Sequence, residues 1–199
     1  MGRVAVVTGA ASGMGLAIGC FLAARGDRVA LLDLQGDGAM RAAEGLREKG
    51  ADVMAAGVDV TDRAAVNDAL SKVRAEFGPI EIMVTSAGLE AFDSFTDITI
   101  ERWEHVLSVN LTGTFHCLQA AVPDMLAARW GRIVTISSAG AQSGAPRMAH
   151  YVSAKAGVIG LTKALALELA PHGTCGFLCS EEAGFITGQI IGVNGGMVL

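Results

Sequence analysis

Five short apolar runs constrain this chain more than any other feature. They are Arg3–Thr8, Arg28–Asp33, Asp52–Gly57, Ile80–Thr85 and Gly131–Ser137, and stretches of helical spacing separate them. A strand that faces water on one side alternates apolar and polar residues, whereas a strand covered on both faces does not. The spacing predicts helices over Gly13–Arg25, Gly38–Lys49, Asp62–Phe77, Thr99–Asn110, Thr112–Arg129 and His150–Ala170, with Gly26, Gly50, Gly78-Pro79 and Pro171-His172-Gly173 as stops. Apolar strands alternating with helices imply an α/β fold, a doubly wound parallel sheet. A length of 199 residues suits a single domain, and no repeat, low-complexity tract or linker divides it. Hydrophobic residues make up 51% and aromatic residues only 5%, so Ala, Val, Leu, Ile and Gly must fill the core.

Charge and patterning exclude several classes. The net charge is −5 and no basic run occurs, which argues against nucleic acid as a partner. No stretch approaches the roughly 18 apolar residues of a spanning helix, so no membrane association is expected. The start, Met1-Gly2-Arg3-Val4-Ala5-Val6-Val7, breaks at Thr8-Gly9 and reads as a strand rather than a signal peptide. Val6 stands where a myristoylation pattern wants Ser or Thr. Cys20, Cys117, Cys175 and Cys179 are scattered without a CxxC pair, so they read as small core residues of a reduced, cytoplasmic protein. His105, His116 and His172 share no metal-ligand spacing, and no metal site is expected. Met83, Met125 and Met148 read as packing. Asp93, Asp97, Glu101 and Glu104 read as a solvated acidic face, and His150 as a residue at a helix start.

The first strand runs into Thr8-Gly9-Ala10-Ala11-Ser12-Gly13-Met14-Gly15 and then a helix. Glycines allow a tight turn and a close approach of backbone N–H groups to a pyrophosphate, which the helix N-terminus also favours. A glycine-rich turn alone is a weak signal, but the strand before it and the helix after it supply the context the mechanism needs. Asp33 ends the second strand, where a carboxylate accepts from the adenosine ribose hydroxyls and repels a 2′-phosphate. The expected cofactor is therefore NAD rather than NADP. The other reading of Asp33 is a loop carboxylate or helix cap. Asp59-Val60 and Ser86-Ala87-Gly88 follow the third and fourth strands, at the sheet edge where such folds bind ligands. Asp59 can accept from the adenine amino group or cap the next helix, although Thr61 and Asp62 suit the cap better.

Tyr151 and Lys155 lie one turn apart on a predicted helix and share a face. Ser138 comes just past the fifth strand. Hydride transfer to a carbonyl leaves an alkoxide that needs a proton. Bringing a phenol from a pKa near 10 to about 7 takes roughly 4 kcal/mol. An ammonium such as that of Lys155 favours the phenolate and supplies part of that energy. Ser138 can hold the substrate oxygen by a hydrogen bond.

These residues resemble the short-chain dehydrogenase/reductase family, whose fold is Rossmann-type. The family's T-G-x-x-x-G-x-G turn matches Thr8 to Gly15, its Y-x-x-x-K matches Tyr151 and Lys155, and its serine matches Ser138. Its catalytic asparagine matches Asn110 in Ser108-Val109-Asn110-Leu111, and its N-A-G segment corresponds to Ser86-Ala87-Gly88, with Ser in place of the usual Asn. The resemblance implies catalytic roles for Asn110, Ser138, Tyr151 and Lys155. There the asparagine shapes a helix kink and holds a water in a proton relay, and the lysine also binds the nicotinamide ribose. It implies NAD contacts from Gly9, Ser12, Gly13, Met14, Gly15, Asp33, Leu34, Asp59, Val60, Ser86, Ala87, Gly88, Tyr151 and Lys155. The implied substrate is a small secondary alcohol or ketone, as in the 3-oxoacyl-thioester reductase and polyol dehydrogenase branches. A protein that holds NAD as a sensor or scaffold without turnover is the alternative. Epimerase or dehydratase chemistry on nucleotide sugars is disfavoured, because those relatives carry a larger C-terminal domain.

Two further expectations follow. In the helices 112–129 and 150–170 apolar residues spread beyond one stripe: Phe115, Leu118, Val122, Met125 and Leu126 in one, Val158, Ile159, Leu161, Leu165, Ala166, Leu167 and Leu169 in the other. A second buried face, and hence a homodimer or homotetramer, is expected, with a thick core inside one subunit as the other reading. The sequence also passes directly from Gly173 to Thr174, where the family carries about fifty more residues forming a sixth strand and a substrate lid. The family's last strand resumes near Gly188–Gly196. Either the segment belongs to the full protein, or the chain is truly shortened. A deletion would expose sheet backbone beside the fifth strand, which favours the first explanation. An intact mass near 20.4 kDa would favour the second.

Overall fold

All five apolar runs become strands, and all pair in parallel in the order β3-β2-β1-β4-β5. The computed structural model describes residues 2–169. The proposed junction at Gly173–Thr174, Cys175, Cys179, His172 and the run Gly188–Gly196 lie outside the described residues. The strands are β1 (Val4–Thr8), β2 (Arg28–Asp33), β3 (Val53–Gly57), β4 (Ile82–Thr85) and β5 (Arg132–Thr135). The helices are α1 (Gly13–Ala24), α2 (Gly36–Arg47), α3 (Arg63–Phe77), α4 (Ile100–Leu107), α5 (Gly113–Ala128), α6 (Gly140–Ser143) and α7 (Ala149–Leu169).

Every residue of the central strands β1 and β4 is buried, which explains why their sequences do not alternate. Successive side chains still point to opposite faces. Val4 and Val6 of β1 enter one core with α3, α5 and the end of α7, whereas Ala5 and Val7 enter the other with α1 and α2. Register brings the strand ends level: Thr8 stands beside Leu32 and Thr85, and Thr85 beside Thr135. That levelling makes one carboxyl edge, over which the loops after β1, β2, β4 and β5 meet.

The boundaries differ from the sequence expectation by one to three residues. α2 begins at Gly36 rather than Gly38, and α3 begins at Arg63 with Asp62 as its cap, accepting from the amides of Ala64 and Ala65. The two helices predicted over 99–129 are joined without a loop. A π-helical turn over Ser108–Thr112 links α4 to α5, and the Thr114 hydroxyl donates to the Asn110 carbonyl. Widened turns of this kind recur at functional sites. α6 and a 3₁₀ turn at Phe95–Asp97 are too short to leave a periodic signal. Among the described residues β5 pairs with β4 alone.

Candidate active site

The turn after β1 is shaped by three glycines. Gly9 and Gly13 adopt φ of 67° and 55°, in the left-handed region. A Cβ on Gly9 would sit 2.7 Å from the Ala87 amide nitrogen, and one on Gly15 would sit 2.2 Å from the Gly9 carbonyl oxygen. Buried Thr8 closes the other side: its Oγ1 accepts from the amides of both Ser86 and Ala87, at 3.2 Å each. The turn that carries Ser in place of the family's Asn is thus gripped from β1. α1 opens with no acidic residue in its first turn, and the Ser12 side chain makes no capping bond. Its leading N–H groups, with the dipole behind them, suit a phosphate.

Asp33 spans two loops. Its Oδ2 accepts from the Ala11 amide at 2.9 Å and its Oδ1 from the Gln35 amide at 2.8 Å. Leu34 beside it and Met14 in the first turn of α1 are exposed large apolar side chains. Asp59 lies exposed after β3, where one oxygen accepts from the Thr61 amide and hydroxyl, while the neighbouring Val60 is buried. Asp62, not Asp59, caps α3.

Several of the candidate chemical residues meet around Lys155. Lys155 is buried and donates from Nζ to the Ile136 carbonyl, 2.9 Å away, just past β5. Burial lowers its pKa to about 8, because a desolvated ammonium is disfavoured. The next residue, Ser137, donates its hydroxyl to the Lys155 carbonyl at 2.8 Å, so helix and strand end are fastened twice. The Lys155 Nζ lies 5.8 Å from the centre of the Tyr151 ring. Ser138 Oγ accepts from the Gly140 amide at 3.2 Å, in the loop that leads to α7.

Asn110 is fully buried in the π-helical turn. Its Nδ2 donates to the carbonyls of Leu89 and Val106, both at 2.9 Å, and its Oδ1 accepts from the Leu89 amide at 3.2 Å. It therefore pins the loop after β4 to the α4–α5 rod. Gly88 marks how closely these groups meet, since a Cβ there would be 3.0 Å from Asn110 Oδ1 and 3.3 Å from Lys155 Nζ.

One expectation is corrected by side-chain contacts, and the reading of His150 is extended by them. Asp93 is not part of a solvated acidic face: its Oδ2 accepts from His150 Nε2 at 2.9 Å and from Arg102 Nε at 3.1 Å. These bonds, His150's first, hold its carboxyl below the usual carboxylate range. His150 does stand at the start of α7, but it is fully buried and bonded on both ring nitrogens. Thr8, Ile136, Ser137, Asp93, Arg102 and His150 are the residues that sequence reasoning did not assign to the site. A polar Thr ending an apolar run was a usable signal for Thr8. The rest depend on contacts between distant segments.

A family model described as short chain dehydrogenase matches residues 3–176. The chain belongs to the short-chain dehydrogenase family. This short-chain dehydrogenase is 33% identical to the 3-oxoacyl-[acyl-carrier-protein] reductase FabG of Escherichia coli (strain K12) over 242 positions, covering 100% of the chain and 98% of that reductase. It is likewise 33% identical to the reductase of the same name from Staphylococcus aureus (strain Mu50) over 245 positions, covering 100% and 99%. Both alignments are longer than the chain's 199 residues, so these reductases carry residues with no counterpart here.

Solved structures agree. An actinorhodin polyketide ketoreductase with NADPH superposes with a TM-score of 0.84 at 35% identity, covering 87% of this chain and 67% of the ketoreductase. An NAD+-bound xylitol dehydrogenase superposes with a TM-score of 0.83 at 36% identity, covering 87% and 66%. The doubly wound sheet is thus the fold of this oxidoreductase family. Among the described residues no helix is long and apolar enough to cross a membrane.

Proposed function

We propose that this short-chain dehydrogenase is an NAD-dependent enzyme that interconverts a secondary alcohol and the matching ketone. The observation that carries the reading is the Tyr151 ring held one helical turn from buried Lys155, 5.8 Å from ring centre to Nζ, with that Nζ bonded to the Ile136 carbonyl just past β5. The glycine turn fits a dinucleotide, because it leads into the N-terminus of α1 with no acidic residue in the first turn and no bond from the Ser12 side chain to the leading N–H groups. Gly9, Ser12, Gly13, Met14 and Gly15 would hold the pyrophosphate end. Asp33, Leu34, Asp59 and Val60 would take the adenosine, and Ser86, Ala87, Gly88, Tyr151 and Lys155 the nicotinamide end. The dinucleotide, when bound, supplies or accepts the hydride.

The chain's own residues handle the proton and the oxygen. Tyr151 donates a proton to the substrate oxygen in reduction and accepts one in oxidation. Lys155 favours the phenolate when charged. Ser138 orients the substrate oxygen. Asn110 supports the site by fixing the loop after β4. Asp33 directs the preference to NAD, since its carboxylate suits a ribose diol and repels a 2′-phosphate. Family membership alone does not decide this, because one structural relative is named with NADPH and another with NAD+.

A panel of secondary alcohols and ketones, run with NAD and NADP in parallel, tests the reading. Turnover with NAD preferred is expected. Dinucleotide binding without turnover of any panel member would favour a holding protein instead, a reading supported by the residues that the reductases have and this chain does not. We also infer a homo-oligomer through α5 and α7, supported by Phe115, Leu126 and Leu167, which are 42%, 37% and 82% exposed. Light scattering of the purified protein checks it, and a monomeric mass would overturn it.

A further inference from the structure

The loop after β4 and the segment leading into α7 are joined at one residue, Asp93. Its amide donates to the Arg147 carbonyl at 2.8 Å, and its carboxylate accepts from His150 at 2.9 Å. Arg102, from α4, donates to the same carboxylate oxygen. Arg147 sits at φ 62°, a conformation that costs a non-glycine residue energy and persists only where its surroundings impose it. Asp93 therefore grips the four residues immediately before Tyr151 at both ends, by main chain and by side chain.

The second grip reaches Tyr151 itself. The Tyr151 amide is one of the leading N–H groups of α7, which have no partner within the helix. His150 Nδ1 receives it at 2.9 Å. An amide N–H only donates, so Nδ1 must present its lone pair, and the ring proton is placed on Nε2, where the Asp93 carboxylate accepts it. His150 is fully buried, so water cannot replace either partner. The chain Arg102–Asp93–His150–Tyr151 thus runs through hydrogen bonds of fixed direction from α4 to the turn that carries the phenol.

We propose that His150 is a positioning residue for the reaction, with Asp93 as its anchor: together they set the first turn of α7, and with it the direction of the Tyr151 side chain. The proposal rests on the reading of Tyr151 as the acid/base. His150 acts through the backbone of Tyr151 and touches neither substrate nor cofactor. A shift of about 1 Å in a reacting group can cost on the order of 100-fold in rate, so a small relaxation of this turn acts on turnover more than on dinucleotide binding.

The experiment compares His150→Ala, His150→Asn, Asp93→Asn and Tyr151→Phe with the parent protein. Turnover is followed with NAD and the best substrate of the panel. Tyr151 is the chain's only tyrosine. Fluorotyrosine labelling therefore gives one fluorine resonance, which reports the phenol's surroundings whether or not a substrate is known. His150→Ala is expected to lower kcat on the order of 10- to 100-fold, leave KM for NAD within about twofold, and move or broaden the resonance. His150→Asn retains an acceptor near the Nδ1 position and is expected to recover part of kcat. Asp93→Asn retains the shape and is expected to lower kcat several-fold, which decides the matter if the alanine variant does not fold. Unchanged kcat and an unchanged resonance in His150→Ala and Asp93→Asn would overturn the proposal, as would equal losses in kcat and NAD affinity. If no substrate is found, the resonance alone decides. Normal turnover by Tyr151→Phe would instead overturn the acid/base reading.

Discussion

The two ends of the site are built by different means. The proposed dinucleotide end, formed by β1, α1 and β2, is mostly backbone: left-handed glycines, amide groups and a helix terminus, with Asp33 as its main charged side chain. The proposed chemical end, formed by β5, α7 and the loop after β4, is mostly side chain: Asn110, Ser138, Tyr151, Lys155 and the His150–Asp93 pair. The first is continuous in sequence and limited by steric room. The second is gathered from distant segments and limited by how well each group is aimed.

Substitutions can break this contrast, from large effects to small. Tyr151→Phe removes a functional group and little volume. It should lower turnover by about 10³-fold while dinucleotide affinity, measured by NADH fluorescence, stays within about twofold. Gly15→Ala should do the reverse in kind. Its Cβ would meet a carbonyl oxygen at 2.2 Å, so the turn must move, and a loss of about 3 kcal/mol in folding or dinucleotide binding is expected by thermal melts and titration. Near-normal binding by Gly15→Ala would show that the turn is looser than its geometry implies.

Lys155 belongs to the chemical end but leaves a signature in stability. Its pKa is lowered by burial from 10.5 to about 8, so between those values the unfolded chain binds more protons than the folded one. Its contribution to folding should therefore improve as pH rises from about 8 to about 10.5. Denaturant unfolding across that range should show this slope in the parent protein and a flatter one in Lys155→Met. Equal slopes would mean the ammonium is better solvated than its burial indicates.

Asp33→Asn should shift the NAD to NADP preference by about tenfold toward NADP in kcat/KM, because a neutral amide no longer repels a 2′-phosphate. No shift would mean that Asp33 serves only the Ala11 and Gln35 amides. The smallest effect is expected for Gly13→Ala. Nothing lies within 4 Å of the added Cβ, so only the left-handed backbone resists, at about 1 kcal/mol in a thermal melt.

Most of the fold was legible because its signals are local. A parallel strand buried on both faces leaves an apolar run, and Arg28–Asp33 matches its strand without adjustment. Lys155 and Tyr151 were legible for a similar reason, since residues one turn apart share a helix face. His150 was half legible. Its place at a helix start was readable, but its burial against Asp93 was not, because 57 residues separate the two. Asp93 was misread among nearby acids, since nothing in its local sequence distinguishes a paired carboxylate from a solvated one. The join at 108–112 showed in the sequence only as the kink that the resemblance put at Asn110, because a π-helical turn differs from an α-helical turn by one residue in hydrogen-bond span.

The sequence by itself determined the alternation of strands and helices, the tight glycine turn after β1 and the pairing of phenol with ammonium on one helix. Each follows from residues within a turn or two of one another. Only the tertiary structure decided strand order, the level carboxyl edge, the burial that lowers Lys155, and the hydrogen-bonded path from α4 to Tyr151. These depend on which distant segments meet, and the solvent excluded where they meet sets the strength of every charge and hydrogen bond between them.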